Sequence, residues 1–214
     1  MSLLPRHDDL RWVGLRSSGD GARRTDAAYY DAIYRQRPGW EGQRQWEPLW
    51  QRIAAGLRPE DRVLEVGCGP GGLAAVLAVQ GHNLSLYMGT DFSQPAIEQA
   101  RASFPDADFY CGPLPDCLPH LIGHHRPTVV VACEVLEHLT ASVERGTLAA
   151  VQGIRTVVTV PRYDDVGHQR FFPTRESCVE HYTEILGFVP DIEPVPHSHW
   201  TFTLPPGWGL EVEG

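Results

Sequence analysis

The sequence predicts an α/β fold built on a mostly parallel sheet with helices on both faces. Two observations carry this expectation. From residue 62 onward, short apolar and β-branched runs alternate with segments of helical period, and the chain then closes with two strand-like runs around the turn PHSH. Strands that alternate with helices form parallel sheets whose two faces are both covered. In such sheets, ligands bind at the carboxyl ends of the strands, where the strand order reverses.

Two helical segments precede this alternation. They are AAYYDAIYRQ and QRQWEPLWQRIAAGL, in which large apolar side chains recur at i, i+3 and i+4, and the break RPGWEG separates them. Residues 1–26 show little periodicity and predict a loose or docked arm. We therefore expect an N-terminal arm and small helical cap over residues 1–56, and a ligand-binding domain over residues 57–214.

The alternation can be followed along the chain. The expected strands are RVLEV, LSLYMGTD, DADFYCG, PTVVVACE and IRTVVTVP, and the final pair is FVPDIEPV and HWTFTLPP. The expected helices between them are GGLAAVLAVQG, QPAIEQARASF, TASVERGTLAAV and TRESCVEHYTEILG. Ser93 and Thr174 precede two of these helices as N-cap residues, and Gly81 and Gly187 close two of them.

Composition narrows the class of protein. The 214 residues carry a net charge of −9, contain no apolar run of membrane-spanning length, and begin without the apolar core of a leader peptide. We therefore expect a cytoplasmic protein, and the acidic balance argues against general nucleic-acid binding. Five cysteines without a CxxC pair argue against a disulfide framework or a zinc-thiolate site. All 18 basic residues are arginine, which excludes Schiff-base lysines and the P-loop lysine.

The segment VLEVGCGPGGLA is a candidate ligand-binding turn. Gly67, Gly69 and Gly72 satisfy the pattern GxGxxG between an expected strand and an expected helix. Such glycines permit a tight turn and a close approach of the ligand to the backbone. Glu65 ends the first strand, where it would repel a pyrophosphate but attract the ammonium group of an amino-acid-like cofactor. Asp91 ends the second strand, where a carboxylate can accept hydrogen bonds from two ribose hydroxyls.

This pattern, with a cap ahead of it, resembles the class I S-adenosylmethionine-dependent methyltransferases over roughly residues 57–204. The resemblance implies a Rossmann-like sheet of seven strands, mostly parallel and with the last strand antiparallel. It also implies S-adenosylmethionine as the cofactor. The residues that would hold the methionine portion are Glu65, Gly67, Cys68, Gly69 and Gly71.

The other cofactor contacts follow from the same resemblance. Asp91 would hold the ribose, with Phe92 against the adenine. Pro113 stands where the family often has an acidic residue for the adenine amino group, so Asp116 or the backbone near Leu114 is expected to take that role.

The reactive end of the cofactor has candidates of its own. Glu134, at the end of the fourth strand, would lie beside this end. Tyr30 and Tyr34 of the cap would close over the sulfonium cation, which the faces of aromatic rings attract. The candidate contacts for an anionic substrate group are Arg162, Arg170 and Arg175.

In the stretch CEVLEHLT, an expected buried strand ends in polar groups that are costly to bury. Glu134, Glu137 and His138 are spaced i, i+3, i+4, so they converge if the strand end turns helical, and His168 follows the next strand. Two carboxylates and two imidazoles are typical donors for a divalent metal. The pattern resembles the small-RNA 3′-terminal 2′-O-methyltransferases, which pair ExxEH with a later histidine. A metal there binds two neighbouring hydroxyls and lowers the pKa of the attacking one.

A metal-free reaction is also open at this stage. His168 or His138 would then accept the proton that a hydroxyl loses during in-line methyl transfer, because histidine titrates near neutral pH. We expect an S-adenosylmethionine-dependent enzyme that methylates an oxygen of a small-molecule substrate.

Alternatives remain open beside this reading. One alternative is a metal-dependent ribose or vicinal-diol methyltransferase, and for this alternative RNA is not excluded as the acceptor. A non-catalytic cofactor-binding subunit and an NAD-dependent oxidoreductase are the alternatives outside this class. The sequence indicates no oligomeric state.

Overall fold

A seven-stranded sheet forms the centre of the protein. The computed structural model describes residues 27–165, 167–196 and 198–210, so the predicted arm over residues 1–26 lies outside the described residues. The strands are β1 (Val63–Val66), β2 (Tyr87–Asp91), β3 (Asp108–Cys111), β4 (Val129–Cys133), β5 (Arg155–Pro161), β6 (Ile192–Val195) and β7 (His199–Leu204). Their order across the sheet is β3-β2-β1-β4-β5-β7-β6, and β7 runs antiparallel to both of its neighbours. The predicted sheet, with its antiparallel last strand, is confirmed.

Within the described residues, seven α-helices accompany the strands. They are α1 (Ala27–Gln36), α2 (Glu47–Ala54), α3 (Gly72–Val79), α4 (Gln94–Ser103), α5 (Leu118–His125), α6 (Ala141–Ala150) and α7 (Arg175–Leu186). Short 3-10 segments cover Trp40–Trp46, Leu84–Leu86 and Leu136–His138. The sequence did not predict α5, whose segment LPHLIGHH combines Pro119, Gly123 and three histidines and lacks a side-chain N-cap. The side chains of Ser93 and Thr174 cap α4 and α7 as expected.

Two hydrophobic cores lie on opposite faces of the sheet. One contains Leu64 and Val130 of the strands together with residues of α5, α6 and α7. The other contains Val63 and Val131, which alternate with the first set, together with residues of α2, α3 and α4. Strands buried on both faces explain the nearly continuous apolar runs in the sequence. Among the described helices, none has the length and apolar character that a membrane crossing requires.

The reversal in strand order lies at β1. The chain adds β2 and β3 on one side of β1, and it adds β4 and the later strands on the other. The helices that follow β1 and β4 therefore lie on opposite faces of the sheet, and a cleft opens at the carboxyl ends of these strands. This topology brings the ends of β1, β2 and β4, with Glu65, Asp91 and Glu134, to one edge.

The helical cap packs directly against the α/β body. The side-chain amide of Gln99 in α4 accepts a hydrogen bond from Gly39 N–H (2.7 Å) and donates one to the carbonyl of Tyr34 (2.9 Å). The ring of Trp50 in α2 occupies the space beside Gly72, where a Cβ would lie 2.0 Å from it. These contacts place α1 above the sheet edge that carries the candidate site.

Candidate active site

The glycine turn after β1 has the geometry that its sequence predicts. Gly67 and Gly69 have φ values of 69° and 51°, in the left-handed region that favours glycine. A Cβ on Gly67 would lie 2.2 Å from Cγ2 of Val135, so the turn and the loop after β4 approach each other as closely as glycine allows. Gly71, predicted as a cofactor contact, caps the start of α3 with φ 91° and faces the ring of Phe104.

Asp91 is tied to the glycine turn by its carboxylate. Its Oδ2 accepts a hydrogen bond from the backbone N–H of Gly69 (3.0 Å), and its Oδ1 accepts one from Ser93 N–H (2.8 Å). Burial raises the pKa of Asp91 to about 6, although these two hydrogen bonds limit the rise. A carboxylate in this setting is ready to accept hydrogen bonds from the hydroxyls of a bound ribose.

Glu65 is buried at the base of the same cleft. Its Oε2 accepts a hydrogen bond from the hydroxyl of Tyr87 on β2. Burial raises the pKa of Glu65 to about 8, and the hydrogen bond from Tyr87 opposes this shift. A ligand that brings an ammonium group would favour the ionised carboxylate.

Two cavities meet at the cleft. One, of about 180 Å³, is lined by Glu65, Gly67, Cys68 and Gly69 on the turn side and by His138 and His168 on the other. The second, of about 370 Å³ and mostly apolar, is lined by Asp91, Phe92, Pro113, Leu114 and residues of the loop after β4. Both cavities share Tyr30, Tyr34, Gly67, Glu134 and His138. The predicted methionine and adenosine contacts are thus divided between adjoining spaces, and Leu114 lies on the adenosine side.

Helix α1 covers the junction of the two cavities with aromatic side chains. The hydroxyl of Tyr30 lies 2.8 Å from Nδ1 of His138, and its ring meets the ring of Phe92 edge-on at 5.5 Å. The hydroxyl of Tyr34 lies 3.1 Å from the place where a Cβ on Gly69 would stand. The two tyrosines predicted as a lid therefore contact the glycine turn and the histidine at the acceptor side.

Glu137, His138 and His168 form one cluster beneath this lid. Their potential ligand atoms all lie within 4.8 Å of one another. Glu137 is fully buried, and neither carboxylate oxygen has a hydrogen-bond partner among the described residues. Its Oε1 lies 3.6 Å from Nε2 of His138, beyond hydrogen-bond distance. Burial raises the pKa of Glu137 well above its usual range, with the carboxylate of Glu134 adding to the shift.

Both histidines of the cluster are oriented by backbone carbonyls. Nδ1 of His138 lies 2.9 Å from the carbonyl oxygen of Gly167, and Nδ1 of His168 lies 3.2 Å from that of Tyr163. In the tautomer that donates from Nδ1 to these carbonyls, each neutral ring keeps its lone pair on Nε2, and the Tyr30 hydroxyl at Nδ1 of His138 accepts rather than donates. Burial lowers the pKa of His138 to about 4, which keeps it neutral at physiological pH. This arrangement is typical of metal-ligating histidines.

Glu134 lies apart from this cluster. Its backbone adopts φ 57°, which is uncommon for a residue other than glycine, and its Oε2 lies 2.9 Å from Nε2 of the buried His199. The sequence prediction grouped Glu134 with the other metal ligands, whereas among the described residues the potential ligand atoms that cluster are those of Glu137, His138 and His168. Sequence reasoning missed His199, because its approach to Glu134 depends on β7 pairing with β5.

The three arginines considered for substrate binding each have protein partners. Arg162 stacks over the ring of Trp200 at 4.5 Å, and Arg175 donates to the carbonyl of Ile192 (2.8 Å). Arg170 pairs with the buried Glu144. These contacts account for the three guanidinium groups without an anionic ligand.

Comparison with known proteins bears on this site. Residues 64–159 match the family model described as a methyltransferase domain. Comparison with curated proteins finds no match. A TehB-like S-adenosylmethionine-dependent methyltransferase from Corynebacterium glutamicum is 20% identical, with a TM-score of 0.54, over 83% of this chain and 97% of that chain.

Two further structures share the fold. An O-methyltransferase family protein from Burkholderia thailandensis is 13% identical, with a TM-score of 0.60, over 92% of this chain and 69% of that chain. The 1,6-didemethyltoxoflavin-N1-methyltransferase of the same organism, solved with S-adenosylhomocysteine, is 20% identical, with a TM-score of 0.56, over 85% of this chain and 91% of that chain. The chain therefore matches a methyltransferase-domain model over residues 64–159 and shares its fold with solved S-adenosylmethionine-dependent methyltransferases.

Proposed function

We propose that this protein is a divalent-metal-dependent O-methyltransferase whose acceptor is a small molecule with two neighbouring hydroxyl groups. The observation that carries the proposal is the environment of Glu137, a fully buried carboxylate without a hydrogen-bond partner among the described residues. Buried carboxylates are costly unless they are paired or coordinate a metal. The imidazoles of His138 and His168, each with a ring nitrogen in the same cluster as Glu137, complete a donor set suited to a divalent cation.

The protein residues divide the work between cofactor and acceptor. Asp91 would accept hydrogen bonds from the ribose, Glu65 would face the ammonium group, and the glycine turn would admit the methionine portion to the backbone. Glu137, His138 and His168 would hold the metal. A metal bound there supplies a Lewis acid that lowers the pKa of a coordinated hydroxyl. The shared lining of the two cavities brings cofactor and acceptor within reach of each other.

A metal-free O-methyltransferase is the second candidate. His138 and His168 both line the acceptor cavity, and His138 stays neutral because burial lowers its pKa to about 4. A neutral imidazole can take the proton that the acceptor hydroxyl loses. A base with so low a pKa is a weak proton acceptor, which favours His168 over His138 in this role.

The test is methyl transfer from radiolabelled S-adenosylmethionine to a panel of catechols, aliphatic vicinal diols and short RNAs with a free 3′ end. Each acceptor is assayed with EDTA, Mg²⁺, Mn²⁺ or Zn²⁺. We expect metal-dependent transfer to a small diol, and loss of at least about tenfold in kcat/KM for Glu137→Gln. The exposed Glu180→Gln variant serves as the matched control.

Each other result selects a different function. Transfer that survives EDTA and requires His168 would support the metal-free candidate. Transfer to RNA alone would replace the small-molecule acceptor. Binding of S-adenosylhomocysteine without turnover on any acceptor would support a non-catalytic cofactor-binding subunit.

A further inference from the structure

A fully buried glutamate lies behind the Glu137 cluster. Glu144, on α6, receives the guanidinium of Arg170 on Oε2 (3.0 Å). Nε2 of His181 lies 3.1 Å from the same oxygen, and the hydroxyl of Tyr182 donates to Oε1 (3.3 Å). These partners come from α7 and from the loop after β5, so one carboxylate joins three parts of the fold. The sequence-based account of the site gave Glu144 no role.

Arg170 also reaches the turn that carries two members of the cluster. Its NH1 donates to the carbonyl of Leu136 (2.7 Å), in addition to Glu144. The backbone N–H groups of Gln169 and Arg170 both donate to the carbonyl of Glu137, at 2.7 Å and 3.3 Å. The loop after β5 is therefore attached to the Leu136–His138 turn by two side-chain hydrogen bonds, from Arg170 to Leu136 and between His138 and Gly167, and by two backbone hydrogen bonds.

The cluster needs such an attachment because its members come from two separate loops. Glu137 and His138 follow β4, whereas His168 follows β5, and loops move more than the elements they connect. A metal site requires ligand positions that are held by surrounding hydrogen bonds. On the basis of the metal-dependent function proposed above, we propose that Arg170, paired with Glu144, is the positioning residue that fixes His168 relative to Glu137 and His138.

The geometry explains why arginine serves at this position. Both contacts are made by NH1, whose two N–H groups have fixed directions in the guanidinium plane and reach the carboxylate of Glu144 and the carbonyl of Leu136. Lysine retains the charge for Glu144 but lacks the fixed fork. Removal of Arg170 alone takes the guanidinium away from the buried carboxylate of Glu144, although its histidine and tyrosine partners remain. Replacement of both Arg170 and Glu144 removes the buried charge as well.

The experiment measures two affinities for each folded variant. Mn²⁺ binding is followed by the electron paramagnetic resonance of free Mn²⁺, and S-adenosylhomocysteine binding by calorimetry. The variants are Arg170→Lys, Arg170→Gln, and Arg170→Gln combined with Glu144→Gln, which keeps the fold testable if the single change unfolds the protein. We expect Mn²⁺ affinity to fall by about tenfold or more in both glutamine variants, with partial rescue in Arg170→Lys. The affinity for S-adenosylhomocysteine should change less than about twofold, since its contacts lie at the ends of β1 and β2.

Arg145→Gln is the matched control, because Arg145 on α6 pairs with Glu184 on α7 in an exposed salt bridge. It should bind Mn²⁺ like the wild type. A folded Arg170→Gln variant that binds Mn²⁺ as tightly as the wild type would overturn the inference and leave the metal site standing.

A wild-type protein that binds no Mn²⁺ would instead reject the metal-dependent function. Amide hydrogen exchange then tests the positioning role by itself. Faster exchange at Gln169 in Arg170→Gln, but not in Arg145→Gln, would support it, and unchanged exchange would reject it.

Discussion

At Gly67, backbone conformation and lack of space both require glycine. Its φ is 69°, and a Cβ would lie 2.2 Å from the side chain of Val135. Gly81 has a similar φ of 79°, but nothing lies within 4 Å of the place where its Cβ would stand. Substitution of Gly81 therefore introduces backbone strain alone, whereas substitution of Gly67 adds a collision with the side chain of Val135.

Gly67→Ala is expected to lower the affinity for S-adenosylhomocysteine by about tenfold or more, because the turn must shift away from Val135. Gly81→Ala is expected to lower the free energy of unfolding by about 1–2 kcal/mol through strain alone, with binding unchanged. Calorimetric titration and urea unfolding measure both effects. Equal binding losses in the two variants would contradict the role given to Gly67.

Glu65 makes cofactor binding depend on pH. Its pKa is about 8 without a ligand, because of burial, so the carboxyl is mostly protonated at pH 7. An ammonium group beside it favours the carboxylate, so binding of S-adenosylhomocysteine should release a proton and should strengthen as the pH rises toward 8. Titration at pH 7 in buffers of different ionisation enthalpy measures this release. Glu65→Gln should reduce it, and a binding enthalpy that does not depend on the buffer would contradict the assignment.

Among the elements, α2 and α3 are joined by a contact between a tryptophan and a glycine. The ring of Trp50 would lie 2.0 Å from a Cβ on Gly72, the third glycine of the motif. The pattern GxGxxG thus combines the predicted cofactor turn at Gly67 and Gly69 with packing of the cap against Gly72.

We expect Gly72→Ala to lower the free energy of unfolding by about 1–3 kcal/mol through overpacking against Trp50. Combining it with Trp50→Phe, which shortens the ring system, should recover part of this loss. Urea unfolding of the single and double variants measures the coupling. Additive effects would show that the two side chains do not meet.

The elements that the sequence did not predict share a physical cause. Helix α5 forms from LPHLIGHH because Leu118 and Leu121 are buried against the sheet, although Gly123 lowers its intrinsic preference for helix. The pairing of Glu134 with His199 and the burial of Glu144 depend on contacts between elements far apart in the sequence. Local patterns carry no signal for such contacts.

Across the whole molecule, the order of the strands decides which polar side chains meet. The sequence predicted the sheet and the glycine turn, because both depend on local runs of residues and on turn chemistry. It also indicated Glu137, His138 and His168, which the fold brings together. It did not separate Glu134 from them, because that separation depends on the side chain of His199, at the start of β7, which reaches Glu134 only because β7 pairs with β5.

The buried carboxylates should make the ligand-free protein less stable in alkaline solution. The pKa of Glu65 is raised to about 8, and those of Glu134 and Glu137 are raised well above the usual range, in each case chiefly by burial. A group with a raised pKa contributes stability below its unfolded value and loses it as the pH rises through the folded value. The lowered pKa of His138 acts in the opposite direction, but only at pH values below about 6.5.

We therefore expect the free energy of unfolding to fall from about pH 6.5 to about pH 8.5, with Glu65 alone contributing about 2 kcal/mol. Urea unfolding of the metal-free protein across this range measures the slope. Glu65→Gln should flatten it in part. A stability that rises with pH over the same window would contradict the electrostatic account.

The most direct test of the central claim is thermal unfolding of the chelated protein alone, with S-adenosylhomocysteine, with NAD, and with each ligand plus Mn²⁺. Ligands that bind the native state raise the unfolding midpoint. We predict a rise with S-adenosylhomocysteine but not with NAD, and a further rise with Mn²⁺ that Glu137→Gln abolishes. No rise with S-adenosylhomocysteine would contradict the cofactor assignment, and no effect of Mn²⁺ would contradict the metal site.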